Sequence, residues 1–245
     1  MPHDPFPPEP VRVPLMRHRW EVITFLHWRY DVDTVQQLLP KGLVVEPWDG
    51  GAWVGLVPFR MVVQPPIGPG AVTFPETNVR TYVTGPDGRP GVYFFSLDAA
   101  SVSAVSAARA TWRLPYHLAT MSVDQQDGTL HYMSQRRPPS STRARHDIRV
   151  RPGEPLEPAE FDHYLTARFT LWNTFAGRPM RTQAEHPPWE LRRAILEHCD
   201  EDLLAAAGLA KPAGDPTVHY SEGTAVRIGA PRAVAASRTT RAAAG

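Results

Sequence analysis

Hydrophobic and polar positions along this chain alternate far more often with a period of two than with a period of 3.6, so the sequence predicts strands joined by turns. Residues 20–28, WEVITFLHW, form the first mixed apolar run with strand character. Asp31-Val-Asp33-Thr34 follows as a helix-start signal, and the short helix it opens is expected to run to Leu39. Pro40-Lys41-Gly42 closes it, with Gly42 suited to the position after the last turn. Residues 43–47 and 52–63 read as a strand pair across Asp49-Gly50-Gly51, because Asp-Gly between β-rich runs favours a hairpin. Residues 76–84 and 92–97 form a second pair across Gly85-Pro86-Asp87-Gly88, after a Pro/Gly loop at 64–70.

Beyond this meander, the Ala/Ser-rich stretch 98–110 reads as a helix capped near Asp98 or Ser101. Strands are expected at 114–123, 129–137 and 143–150, the first two joined by Asp127-Gly128. A helix at 158–166, a strand at 169–175, a helix at 190–207 closed by Gly208, and a strand at 218–228 complete the pattern. About nine strands with a few short helices define a mainly β (α+β) fold, an antiparallel closed barrel or curved sandwich with outer helices. No βαβ alternation with Gly-rich turns occurs, so a nucleotide-binding parallel sheet is not expected. The proline-rich residues 1–14 read as a disordered or extended arm, 15–232 as one barrel domain, and 233–245 as an unstructured tail.

Composition narrows the function classes. The 26 basic and 25 acidic residues leave a net charge of +1, which gives no long-range field for nucleic acid or anionic lipid. A single cysteine, Cys199, excludes an internal disulfide and a cysteine-based zinc cluster, and favours a reducing compartment. Residues 1–14 lack the apolar core of a secretory signal, and no apolar run approaches the ~20 residues of a membrane span. The chain therefore reads as cytoplasmic. Expected partners are a small organic molecule and, at most, further copies of the chain. Only two lysines occur, Lys41 and Lys211, so any lysine mechanism has two candidates.

Three segments carry a resemblance: Leu38-Leu-Pro-Lys-Gly-Leu43 with Trp53-Val-Gly-Leu-Val-Pro-Phe59, then Phe74-Pro-Glu-Thr-Asn-Val-Arg-Thr-Tyr82, then Trp112-Arg-Leu-Pro-Tyr-His117, reinforced by His219-Tyr-Ser221. Together, across residues 18–232, they resemble the YqjF-like family, a domain of unknown function within the acetoacetate decarboxylase-like superfamily. The resemblance implies a closed barrel with a buried central pocket. In the decarboxylases a Pro-Lys-Lys segment supplies a Schiff-base lysine whose pKa its neighbour depresses. The matching segment here is Pro115-Tyr116-His117. Lys41 lies in a helix-ending turn and Lys211 in a Pro/Ala/Gly linker, so neither suits a desolvated amine. Schiff-base decarboxylation is therefore not expected.

The resemblance also places Glu76 about where a decarboxylase pocket glutamate lies. Alternation puts Glu76, Asn78, Arg80 and Tyr82 on one strand face and Thr77, Val79, Thr81 and Val83 on the other. The polar row is either a solvated outer face or the lining of a cavity. In a cavity, Glu76 is expected to pair with an arginine, Arg80 foremost. Tyr116 and His117 point to opposite faces, so at most one of them lines a pocket, and Tyr116 is favoured. Arg60 and Arg80 suit bidentate carboxylate binding, although a surface arginine is the commoner role. If the protein is an enzyme, acid–base chemistry on a carbonyl- or carboxylate-bearing molecule is expected. Glu76 would be the acid or base and Tyr116 an oxyanion donor. Arg80, Asn78, Tyr82, Arg60 and His117 would bind the substrate. A non-catalytic ligand-binding or sensor module and a solidly packed structural barrel are the competing classes.

His27, His117, His131 and His219 fall on different strands without ligand spacing, so no metal and no cofactor is expected. Six arginines between 136 and 151 lack interleaved aromatics and read as a solvated hairpin. No nucleophile elbow, P-loop or dinucleotide fingerprint is present.

Overall fold

The computed structural model describes residues 3–64, 70–140 and 142–234. The elements in chain order are β1 (Met16–Tyr30), α1 (Val32–Gln36), β2 (Val44–Val45), β3 (Ala52–Gln64), β4 (Val72–Thr84), β5 (Pro90–Ala99), α2 (Val102–Thr111), β6 (Tyr116–Gln126), β7 (Thr129–Arg136), β8 (Arg145–Pro155), α3 (Glu160–Thr166), β9 (Thr170–Phe175), β10 (Arg178–Glu185), β11 (Arg192–Glu201), α4 (Leu203–Ala206), β12 (Thr217–Ile228) and β13 (Arg232–Ala233).

One sheet contains all these strands, and it closes. The order β5-β6-β7-β8-β11-β12-β1-β3-β4 returns to β5 through the β4–β5 pairing. The sheet also forks: β9 pairs with β5, β10 with β9, and β10 again with β12. A second, smaller circuit therefore shares β12, β1, β3, β4 and β5 with the nine-stranded barrel. Pairing is mostly antiparallel, but β5 runs parallel to both β6 and β9. The expected wholly antiparallel barrel is thus mixed. Parallel neighbours need a crossover, and α2 supplies it between β5 and β6.

The fork buries both faces of the shared strands. In β4, every residue from Glu76 to Val83 is buried. Thr77 and Val79 face the nine-stranded interior, where Leu26, Leu56, Val79, Leu130, Ile148 and Val150 form a packed core. Polar pairs are enclosed in the same interior: Thr24 with Tyr132 at 2.9 Å, Thr77 with His146 at 2.9 Å, and Asp98 with Arg136 at 2.9 Å. The opposite face of β4 looks into the smaller circuit. Its core includes Ile23, Phe25, Val57, Phe59, Leu97 and Trp189.

Irregularities break strict alternation. Val22 has φ 44°, and the β1–β3 register shifts between Glu21 and Leu26. Beside it, Gly223 has φ 125°, and a Cβ there would lie 1.9 Å from the Trp20 carbonyl oxygen, so only glycine fits. In β5 a bulge at Phe95 lets Arg80 pair with Phe94 while Val79 pairs with Ser96.

Several local expectations are met. Asp31 caps α1 through the Asp33 and Thr34 N–H groups, although α1 ends at Gln36 rather than Leu39. Asp127-Gly128 turns β6 into β7, and Gly85–Gly88 turns β4 into β5. Others are corrected. Residues 43–47 do not pair with β3; β2 pairs with the end of β4, and only a Trp48–Gly51 bridge spans Asp49-Gly50. The 98–110 helix begins later, at Val102, because Asp98 and Ala99 complete β5; of its two expected caps Ser101 is the one used.

The stretch 190–207 is mainly strand. β11 pairs with β8 and β12, and only the single turn α4 is helical. Ala, Leu and Glu favour a helix there, but ladder hydrogen bonds and cross-strand packing outweigh that weak preference. β10 falls in a stretch for which no element was expected. The arginine run is not uniformly solvated, since Arg136 and His146 are buried. Residues 3–14 form no helix or strand, yet Val11 is buried and its N–H donates to Glu185. Arg232 and Ala233 pair with β10; the rest of the expected tail beyond residue 234, like most of the 64–70 loop, lies outside the described residues.

Candidate functional site

The smaller circuit encloses a cavity of about 350 Å³. β4 contributes Phe74, Glu76, Asn78 and Arg80, and β3 contributes Val57, Phe59, Met61 and Val63. Both sets follow the two-residue period, because these strand segments are regular. His18 and Trp20 of β1 face the same cavity as Ile23, and Phe94 of β5 the same cavity as Leu97. That change of parity is the work of the irregularities at Val22 and Phe95. The lining is predominantly apolar, with polar groups contributed by β1, β4, β6 and the segments on either side of β9 and β10.

Glu76 is 3% exposed, and its Oε2 accepts a 2.9 Å hydrogen bond from the Tyr116 hydroxyl. Burial raises the Glu76 pKa to about 8; the Tyr116 bond opposes that rise and the Asp98 charge adds to it. Glu76 is thus mostly a neutral carboxyl at pH 7. Burial also drives the Tyr116 phenol well above its ordinary value, with Glu76 adding to the effect. Arg109 of α2 donates to the Tyr116 carbonyl oxygen and ties this strand start to the helix. The expected Glu76–Arg80 ion pair is absent: four residues along a strand separate the two by about 13 Å.

Arg80 instead meets the C-terminal end of α3. Its Nη2 donates to the Leu165 carbonyl oxygen at 3.0 Å, and the Tyr82 hydroxyl donates to the same oxygen at 2.6 Å. The Tyr82 proton is used there, so the 2.5 Å contact with His27 Nε2 makes the imidazole the donor. Burial holds His27 well below its ordinary pKa, with Arg80 contributing. Arg80 is 7% exposed, and no carboxylate lies within 4.0 Å of it among the described residues. Helix carbonyls give it partial compensation only.

A second buried arginine, Arg168, lines the same cavity. Its Nε donates to the Tyr164 carbonyl oxygen and its Nη1 to Glu46, both at 2.7 Å. The two guanidinium groups lie 5.9 and 4.9 Å from the Tyr82 ring centre. Several polar atoms of lining residues are buried without a protein partner: Arg80 Nε, Arg168 Nη2, Asn78 Oδ1, Trp20 Nε1, Trp112 Nε1, and both nitrogens of His18. Unpaired buried groups cost about 1–3 kcal/mol each, and clustered around one cavity they mark a wet or ligand-filled space. Burial lowers His18 to about 4, and His186 likewise to about 4 with Arg80 contributing, so both are neutral at pH 7.

Of the residues singled out in the sequence, Glu76, Asn78, Arg80 and Tyr116 line the cavity. Tyr82 shares their face but packs behind Arg80, between His27 and Leu165. Arg60 points away and lies 4.0 Å from Glu21. His117 is on the opposite face from Tyr116, where Ser140 Oγ lies 3.1 Å from its Nδ1. Sequence reasoning missed Arg168, His18, Trp20, Trp112 and His186. Trp112 opens the third resemblance segment but was not singled out in it; Arg168 and His186 sit in no recognisable motif, and the fork of the sheet brings them to the cavity that β4 lines. Lys41 and Lys211 are exposed, and no lysine lines the cavity. No group of three or more His, Cys, Asp or Glu among the described residues is placed to hold a metal, and no described helix is long and apolar enough to cross a membrane.

This forked barrel is the acetoacetate decarboxylase-like fold. The enduracididine biosynthesis enzyme MppR, in a structure with pyruvate, matches with a TM-score of 0.62 at 15% identity over 94% of both chains. The acetoacetate decarboxylase of Legionella pneumophila matches with a TM-score of 0.58 at 17% identity, over 94% of this chain and 92% of its own. At such identities the likeness is one of fold. Within that class, the chain belongs to the DUF2071 family of uncharacterised conserved proteins, whose model matches residues 17–225. It is 35% identical to the uncharacterised protein YqjF of Bacillus subtilis strain 168 over 215 residues, 85% of this chain and 88% of YqjF.

Proposed function

We propose that the protein binds a small organic acid in the cavity of the smaller circuit, with Arg80 as the anion clamp and Glu76–Tyr116 as an acid–base pair. The observation that carries this reading is the state of Arg80: a buried guanidinium of a cavity-lining residue, with an Nε that has no protein partner and no described carboxylate within 4.0 Å. A ligand carboxylate would supply the missing charge and the missing acceptor together. At the other end of β4, a neutral Glu76 can donate a proton to a ligand carbonyl or hydroxyl, and Tyr116 holds it in place. The pKa of about 8 lets the same group act as an acid near neutral pH and as a base above it. With no lysine in the wall, this chemistry is not routed through an imine. Structural neighbours that hold pyruvate or its condensation product support the use of this fold for small carbonyl acids.

The test is a thermal-shift panel of keto- and hydroxy-acids at millimolar concentration, each with its primary amide as neutral control. Acids should raise the unfolding temperature of the wild type by mass action, amides should not, and Arg80→Ala should erase the difference. A panel in which no acid stabilises the wild type overturns the reading.

A further inference from the structure

Resting on the organic-acid reading above, we infer that the ligand is an amphipathic monocarboxylate, whose carboxylate bridges Arg80 and Arg168 and whose apolar body runs along the cavity toward α2. Three observations converge on this class. First, Arg168, like Arg80, lines the cavity and has an unpartnered guanidinium atom, Nη2; the Arg80 and Arg168 guanidinium groups lie 5.9 and 4.9 Å from the Tyr82 ring centre, and both residues are over nine-tenths buried. Glu46 pairs with Arg168, while no described carboxylate lies within 4.0 Å of Arg80. The cavity therefore has about one positive charge to balance, which suits one carboxylate and disfavours a dicarboxylate.

Second, the rest of the wall is the wrong surface for a compact polar acid. Val57, Phe59, Met61, Phe74, Leu97 and Trp189 surround the space, and Ala104, Ala107 and Ala108 of α2 close it with small side chains. A ligand without an apolar body would leave this surface facing trapped water. Third, the volume is too large for a three- or four-carbon acid. At the roughly 30 Å³ a water occupies in the liquid, about 350 Å³ holds about ten to twelve groups of that size. Acetate, with four non-hydrogen atoms, would fill about a third of it, and a four-carbon acid about half.

The experiment is calorimetry on the full chain with straight-chain carboxylates from acetate to decanoate, phenylacetate, and the corresponding primary amides and alcohols. Affinity should rise about four-fold per added methylene until the cavity is full, and then fall. Each amide should bind at least ten-fold more weakly than its acid. Ala108→Phe, which occupies the α2 end, should flatten the length dependence and spare acetate. Arg80→Gln should remove the difference between acid and amide.

If Arg80→Gln does not fold, the acid–amide comparison on the wild type reads the same charge. Short acids binding as tightly as long ones would overturn the amphipathic class and leave the anion clamp standing. Alcohols binding as tightly as acids would overturn the clamp itself.

Discussion

The Tyr116 hydroxyl reaches Glu76 Oε2 at 2.9 Å across an intervening strand: β4 and β6 do not pair, and both pair with β5. Tyr116 sits opposite Leu97 and Glu76 opposite Ala99, so two short registers on β5 set the geometry of the Glu76–Tyr116 hydrogen bond. No charge holds Glu76 in the barrel. A neutral hydrogen bond does, inside a wall that disfavours ionisation.

The stability of the fold should record that state. Glu76 has a folded pKa of about 8 against an ordinary value of 4.5. Below pH 4.5 it is protonated in both states and its contribution is fully present. Between 4.5 and 8 the unfolded chain ionises first, so stability falls as pH rises, by a few kcal/mol at about 1.4 kcal/mol per pH unit. Above 8 the loss is complete. Glu76→Gln cannot titrate, so urea denaturation should show it gaining on the wild type from pH 5 to pH 8. Parallel stability profiles for the two proteins would sink this account.

Tyr116→Phe removes the only side-chain donor to Glu76 among the described residues. The buried carboxyl loses its partner, at a cost of about 1–3 kcal/mol in urea denaturation. Because the Tyr116 bond lowers the Glu76 pKa, its loss should also push the carboxyl further up, seen as an upward move of the NMR titration of Glu76. A titration that moves down would place the phenol in a different role.

Incubation with acetoacetate and borohydride should leave the intact mass unchanged, because both lysines are exposed and neither lines the cavity. One stoichiometric adduct at Lys41 or Lys211 would require a different site.

Gly55 packs against His27 and Arg80. A Cβ there would stand 2.8 Å from His27 Nε2 and 3.5 Å from Arg80 Cγ. Gly55→Ala should therefore displace the His27–Tyr82 pair that braces Arg80. We expect a stability loss of about 1–3 kcal/mol and weaker stabilisation by organic acids. Unchanged binding would show that Arg80 needs no support from behind.

Asp98 and Arg136 form a buried ion pair behind the site, with side chains 0% and 2% exposed. Asp98→Ala leaves the guanidinium uncompensated and should cost about 3–5 kcal/mol. The double variant Asp98→Leu with Arg136→Met should recover most of that loss. A double variant as unstable as the single one would mean the pair's individual hydrogen bonds matter more than its charge balance.

The chain's alternation made much of this legible. Glu76, Asn78 and Arg80 share a face because β4 is regular there, and Tyr116 and His117 diverge because adjacent strand residues must. The Asp31 cap and the Asp127-Gly128 turn are local, and local chemistry is enough to specify them. Residues 190–207 show the opposite case. Their helix-forming composition is real, but β8 and β12 offer ladder partners to Arg192–Glu201 that an isolated segment lacks. The choice between a solvated face and a cavity for the Glu76 row assumed that one side of β4 meets water. Neither does, since Thr77 packs on His146 while Glu76 faces the cavity.

By itself, then, the sequence determined a strand-rich chain with one mixed polar row, two lysines outside any apolar setting, and a tyrosine where the resembled enzymes carry a lysine. The first two are properties of composition and period, which need no partner strand; the third is what the resemblance implies. Only the tertiary structure decided that β9 and β10 bridge β5 to β12, enclosing a second space beside the packed barrel. That bridge brings Arg168, Trp112 and His186 from distant segments to the face of β4. Its cause lies in long-range pairing and in irregularities at Val22 and Phe95, and neither is written in the residues next to the site.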